Sequence, residues 1–141
     1  MKVKKVLYLP LSVLAVAFIS YAGLAAADVK KDFQKVVDNL DLRKNTKLHV
    51  REYWKEIEGK EVVWSGIVFD VRGGRGKAEV LVANKIRPAV RGYNIALIVY
   101  DVSRAAKLKK GQRIKFKGYL HGYSAGRHGG IVITLRDAEI L

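Results

Sequence analysis

Two short stretches of this chain carry residue types that could do chemistry. "GYLHGYSAGRHGGIVI", residues 118–133, holds two of the three histidines, His121 and His128, with Arg127, Tyr119 and Tyr123 among five glycines. "RGGRGK", residues 72–77, sets Arg72, Arg75 and Lys77 among three glycines. Histidines suggest a metal, and glycine-rich loops with arginines suggest an anion cradle, since backbone N–H groups can converge there and guanidinium forks add donors. The metal reading is thin. His121 and His128 lie seven apart, no Asp, Glu or Cys lies within 118–133, and His49 or Asp101 would have to arrive from elsewhere. A closed zinc site wants four ligands and a catalytic one three, so no metal is expected. Residues 72–77 are no Walker loop, because the spacing to a "GK[ST]" and the following helix are missing. A hairpin turn with its charges in solvent explains them equally well.

Catalysis finds little support. The acids from residue 60 onward, Glu61, Asp70, Glu79, Asp101, Asp137 and Glu139, are scattered without a motif, although Asp70 and Asp101 both fall near expected strand ends. Ser65, Ser103 and Ser124 lack a nucleophile elbow. The absence of cysteine excludes thiol chemistry, Cys-based metal sites and a lipid anchor on a cleavage-site cysteine. No cofactor is expected, and the chain reads as non-enzymatic.

Charge points to partners. The formal net charge is +14 over 141 residues, an excess that suits nucleic acid, anionic lipid or acidic polysaccharide. "MKVKKVLYLPLSVLAVAFISYAGLAAA" at the N-terminus has a lysine-rich start, an apolar run from Val6 to Leu24 and a small-residue Ala25-Ala26-Ala27 end, the order of a secretory signal peptide. An uncleaved membrane anchor is the other reading of that run. Removal of residues 1–27 takes away three lysines and no acid, bringing +14 down to +11.

The elements that must position these residues change character along the chain. Val29, Phe33, Val36, Val37 and Leu40 recur at helical spacing, as do Val50, Tyr53, Trp54 and Ile57 after an N-cap at Asn45 or Thr46, with Gly59 as a stop. His49 on the second helix reads as a solvated residue. From residue 60 the pattern is strand-like: 61–71 with Gly66 inside, 78–84, 95–103, 113–123 and 130–141. Residues 85–94 are a loop broken by Pro88 and Gly92, and 104–112 allow one helical turn. Within 113–123 the residues Arg113, Lys115, Lys117, Tyr119, His121 and Tyr123 share one side of the pleat. Such a basic and aromatic stripe suits phosphates plus stacking, and equally suits a solvated outer face whose lysines block edge pairing.

Strand, Gly-containing bend, strand, strand, short helix, strand, strand is similar to the OB-fold. "EGKEVVWSGIVFDV" and "LKKGQRIKFKG" within residues 46–141 resemble the exported tRNA-anticodon-binding-like OB proteins. The resemblance implies a mainly β chain: a five-stranded OB-fold barrel over 60–141, a helical lead-in over 28–59 and a signal peptide over 1–27. It also implies binding on the face of the second and third strands, flanked by the loops joining strands one–two and four–five. The expected ligand contacts are Arg72, Arg75 and Lys77 and Tyr123, Arg127 and His128 from the two flanking loops, with Lys85, Arg87, Arg91 and Tyr93 from the basic cluster between strands two and three, and Lys115, Lys117 and Tyr119 from the strand-four stripe. The expected partner is an extended polyanion (DNA, RNA or an acidic glycan). The alternatives are a protein of an envelope or extracellular complex, in which this chain is an assembly subunit, and third a metal-dependent nuclease.

Overall fold

The computed structural model describes residues 33–141, all within one compact unit, Asp32–Leu141. The expected signal segment 1–27 and Val29 of the first apolar stripe lie outside the described residues. The described part of helix α1 covers 33–40, and helix α2 is Lys47–Ile57. Strand β1 is Glu61–Gly73, β2 Ala78–Ala83 and β3 Ile95–Val99; helix α3 is Val102–Ala106; β4 is Arg113–Ala125 and β5 Ile131–Ile140. Among the described residues no helix is long and apolar enough to cross a membrane.

The strands close in the order β1-β2-β3-β5-β4, with β3 and β5 parallel and every other pair antiparallel. The barrel is an OB fold. Closure depends on β1 serving two neighbours: residues 61–67 pair with β4, and 67–73 pair with β2. Gly66 sits at the changeover. A Cβ there would overlap the Val82 side chain and come within 2.8 Å of the Ala83 carbonyl oxygen, so only glycine lets β1 and β2 approach this closely.

Both lead-in helices bury the apolar faces that their spacing predicts. Phe33, Val36, Val37 and Leu40 of α1, with Val50 and Trp54 of α2, join the core formed by Val62, Trp64, Val68, Phe116, Leu120, Ile133 and Leu135 of the barrel. Phe33 meets Trp64 edge to face at 5.0 Å. Thr46 is the N-cap of α2, its side chain accepting from the His49 N–H. His49 itself is exposed on that helix and lies 3.1 Å from Asn39 Oδ1.

Two details differ from the expected strands. The third ends at Val99 rather than 103, because Asp101 accepts from the Arg104 N–H at 3.1 Å and caps α3. The fourth does not keep one phase. Leu120 pairs with Leu135 and Gly122 with Thr134, so His121 is an extra residue, and Tyr123 pairs with the inward-facing Ile133. Tyr123 consequently leaves the outer stripe and turns inward against Trp54, ring centroids 4.8 Å apart.

Candidate functional site

Strand directions decide which loops meet. Ile95 opens β3 and pairs in parallel with Ile133 near the start of β5, so the 84–94 loop and the 126–130 turn share one end of the barrel. Ala78 pairs with Val99, so the β1–β2 turn lies at the other end of the β2–β3 ribbon. Five residues of strand separate the ends by about 17 Å.

At the first end the two loops wall a cavity of about 200 Å³, lined by Val90, Arg91, Tyr93, Ser124, Arg127 and His128 with neighbouring backbone. Local chemistry builds each wall. Asn94, buried, accepts from the Asn84 N–H at 2.8 Å and donates to the Asn84 carbonyl at 2.8 Å and the Arg87 carbonyl at 3.2 Å, which closes the base of the 84–94 loop. The 126–130 turn is closed by Gly126 N–H donating to the Gly130 carbonyl at 2.7 Å. The loops touch: a Cβ on Gly130 would lie 3.6 Å from Val90 Cβ. Tyr93 meets Phe69 at 5.8 Å, and Phe69 also covers Gly92. Phe69 is the extra residue where the β1–β2 register shifts between Val68 and Asp70, which puts an aromatic ring on the outer surface beside the cavity. Sequence reasoning passed over Phe69, and it weighed Ser124 only as a nucleophile. An aromatic beside Asp70, soon after the strand glycine, was the available signal for Phe69.

Four of the expected contacts, Arg91, Tyr93, Arg127 and His128, are thus brought together. Arg91 and Arg127 are exposed, and among the described residues neither is in an ion pair. Lys85 stands on the other flank of the same loop, where it lines a second cavity of about 220 Å³ with Ser65, Ile86 and Arg113. Arg72, Arg75 and Lys77 are exposed at the far end, on a turn closed by Gly74 N–H donating to the Lys77 carbonyl at 2.9 Å. The acid on β2 and β3, Glu79, lies opposite Arg72.

The remaining expected contacts lie elsewhere. Strand β4 sits between β1 and β5, so Lys115, Lys117 and Tyr119 are on the wall away from the β2–β3 ribbon. There Lys117 pairs with Glu139 at 3.4 Å and Arg136 stacks over Tyr119 at 5.0 Å. A hydrogen bond from the Tyr119 hydroxyl to Glu61 pushes the phenol above its usual range. Tyr123 is an inward packing residue, as described. Arg87 is not a surface cation: its side chain is 10 % exposed and is spent on the buried Asp41 carboxylate and on the Val37 carbonyl at 3.3 Å. Among the described residues no three of His, Cys, Asp and Glu group to hold a metal. Asp101 serves as the α3 cap, and Asp70 faces Lys110 at 4.0 Å.

No family model matches the chain, and no curated protein matches it. Among solved structures it is similar to a candidate nucleic acid-binding lipoprotein from Klebsiella pneumoniae, at 14 % identity and TM-score 0.46 over 64 % of this chain and 76 % of that one. It is similar to asparaginyl-tRNA synthetase from Pyrococcus horikoshii at 17 % identity and TM-score 0.42, over 61 % of this chain and 20 % of that one. It is also similar to Schizosaccharomyces pombe Pot1pC bound to single-stranded DNA, at 11 % identity and TM-score 0.36 over 60 % and 80 % of the two chains.

Proposed function

We propose that this chain is an exported, non-enzymatic OB module that binds an extended polyanion, with single-stranded nucleic acid favoured over an acidic glycan. One observation carries the reading. Two loops gather Arg91, Tyr93, Arg127 and His128 around a single cavity, with the Phe69 ring against Tyr93 beside it, centroids 5.8 Å apart. Unpaired guanidinium groups meet phosphates, and exposed rings offer faces on which bases stack, a contact worth about 1–3 kcal/mol per base. The Arg72, Arg75 and Lys77 turn at the far end of the β2–β3 ribbon gives the ligand a second foothold about 17 Å away. Either ligand can pack on Tyr93 and Phe69, a sugar by its C–H face and a base by its π-face; the flat base covers more of a ring, which favours a base-bearing chain.

The test is equilibrium binding of the purified protein to single-stranded DNA, RNA and an anionic polysaccharide at low and raised salt. Binding to a single strand that weakens steeply with salt supports the proposal; no salt-sensitive binding to any of the three refutes it. Export, and membership of the exported tRNA-anticodon-binding-like group, rest on the N-terminal pattern and the "EGKEVVWSGIVFDV" and "LKKGQRIKFKG" stretches. Cleavage after Ala27 predicts a purified protein whose first residue is Asp28, which intact mass reads directly; a mass retaining Met1–Ala27 contradicts cleavage.

A second reading, an assembly subunit binding an envelope protein through the same end, draws on Val90, Ile86 and Phe69, which are 73 %, 53 % and 42 % exposed there. Retention of one stoichiometric protein partner in high salt, without salt-sensitive oligonucleotide binding, would favour it.

A further inference from the structure

We infer that Asp41 is the positioning residue of the ligand site: a single carboxylate in the lead-in holds both loops that wall the cavity, 84–94 through Arg87 and 126–130 through Arg43. The inference rests on the proposed site. Its structural half stands independently of any ligand.

Asp41 follows the last turn of α1 and is completely buried. Its Oδ1 accepts from the Arg43 N–H at 2.9 Å and from Arg43 Nε at 3.2 Å; its Oδ2 accepts from an Arg43 terminal nitrogen at 3.0 Å and from Arg87. Two bonds per oxygen fill the acceptor capacity of a carboxylate. Each arginine then fixes a different loop. Arg87 belongs to 84–94, and its carbonyl accepts from Asn94 at the base of that loop, so holding its side chain holds the segment that carries Arg91 and Tyr93. The Arg43 guanidinium sits against Gly129, where a Cβ would overlap it. Gly129 has φ +82°, so glycine both makes the turn and leaves room for that group. The Arg43 guanidinium thus props the turn that carries Arg127 and His128. A buried, hydrogen-bonded ionic cluster can fix geometry even where its net contribution to stability is small, and that is the role we assign to this one.

Positioning and electrostatics predict opposite signs. Asp41→Asn removes a negative charge and releases two arginines near the cavity, so a purely electrostatic role predicts tighter polyanion binding. Loss of positioning predicts weaker binding, because loops that must be ordered on association cost affinity. The experiment compares the full chain with its Asp41→Asn variant by amide hydrogen exchange and by affinity for a single-stranded oligonucleotide at fixed salt. Exchange in 84–94 and 126–130 is expected to accelerate together while β1 and β4 amides keep their protection, and affinity is expected to fall by about tenfold or more. Unchanged or tighter binding overturns the inference, as does loosening of only one loop. Should Asp41→Asn fail to fold, Arg43→Gln at the half-exposed arginine decides: loosening confined to 126–130 with weaker binding supports the inference, and no change in either overturns it. Absence of salt-sensitive binding by the unaltered protein to single-stranded DNA, RNA and the anionic polysaccharide alike would end the proposed function, while the exchange measurement would still decide the positioning.

Discussion

At the scale of residues, Asp41 and Arg87 show how burial reassigns a side chain. Both are ordinary charged letters in the sequence, 46 positions apart, and a basic loop naturally reads Arg87 as one more surface cation. The available sign was Asp41 itself, an acid between Leu40 and Leu42 that continues an apolar helical face. The bonds from Arg43 hold the Asp41 carboxyl far below the usual carboxylate range, against the opposing effect of burial and with help from Arg87. A depressed folded-state pKa contributes stability that is present above the unfolded value and lost as pH falls through the folded one. The expected result is that the stability difference between the protein and its Asp41→Asn variant is flat above about pH 5 and shrinks progressively below about pH 4. Urea unfolding across pH 2–7 measures it, and a difference that widens on acidification contradicts the assignment. Arg87→Met should cost about 3 kcal/mol by leaving the buried carboxylate with Arg43 alone. The double variant Asp41→Asn with Arg87→Met should recover part of that loss, since no buried charge is then left short of a partner.

At the scale of elements, β-branched, aromatic and apolar runs disclosed the strands, with clear alternation only in the fourth, and helical spacing disclosed both lead-in faces, because those patterns are set by the core they must reach. Bulges were hidden. The extra residue at His121 returns Tyr123 to the inner face, and an alternating pattern carries no mark of a skipped position. Tyr100, Asp101 and Val102 looked like the end of a strand because the aspartate reads as a helix cap only once the turn forms. Gly66 was legible as an irregularity in β1, and the structure gives the reason: the barrel closes there. Gly66→Ala should therefore destabilise the fold by about 1–3 kcal/mol, the usual range for overpacking, by forcing β1 away from Val82 and Ala83. A lowered urea midpoint with unchanged m-value is the expected observation, and an unaltered midpoint would show that β1 can yield at this point without cost.

At the scale of the whole molecule, the basic clusters evident in the sequence do not form one continuous groove. Apart from Lys85 on the other flank of 84–94, topology sends them to three places: the paired loops with Arg91 and Arg127, the far turn with Arg72, Arg75 and Lys77, and the β4 wall with Lys115 and Lys117. Only strand order reveals this, and strand order is a long-range property that composition and local pattern do not encode. The first two sites lie at the ends of the β2–β3 ribbon, and the third lies on the opposite side of the barrel. The measurement that tests this arrangement most directly is the salt dependence of oligonucleotide affinity for the protein and two double variants. If four to six cations engage phosphates, log K should fall with log salt at a slope of roughly −3 to −4. Arg91→Ala with Arg127→Ala should weaken binding and bring the slope about 1.4 closer to zero, whereas Lys115→Ala with Lys117→Ala should leave both nearly unchanged. Equal losses from the two double variants, or a slope that the loop arginines do not move, would contradict a site built where the two loops meet.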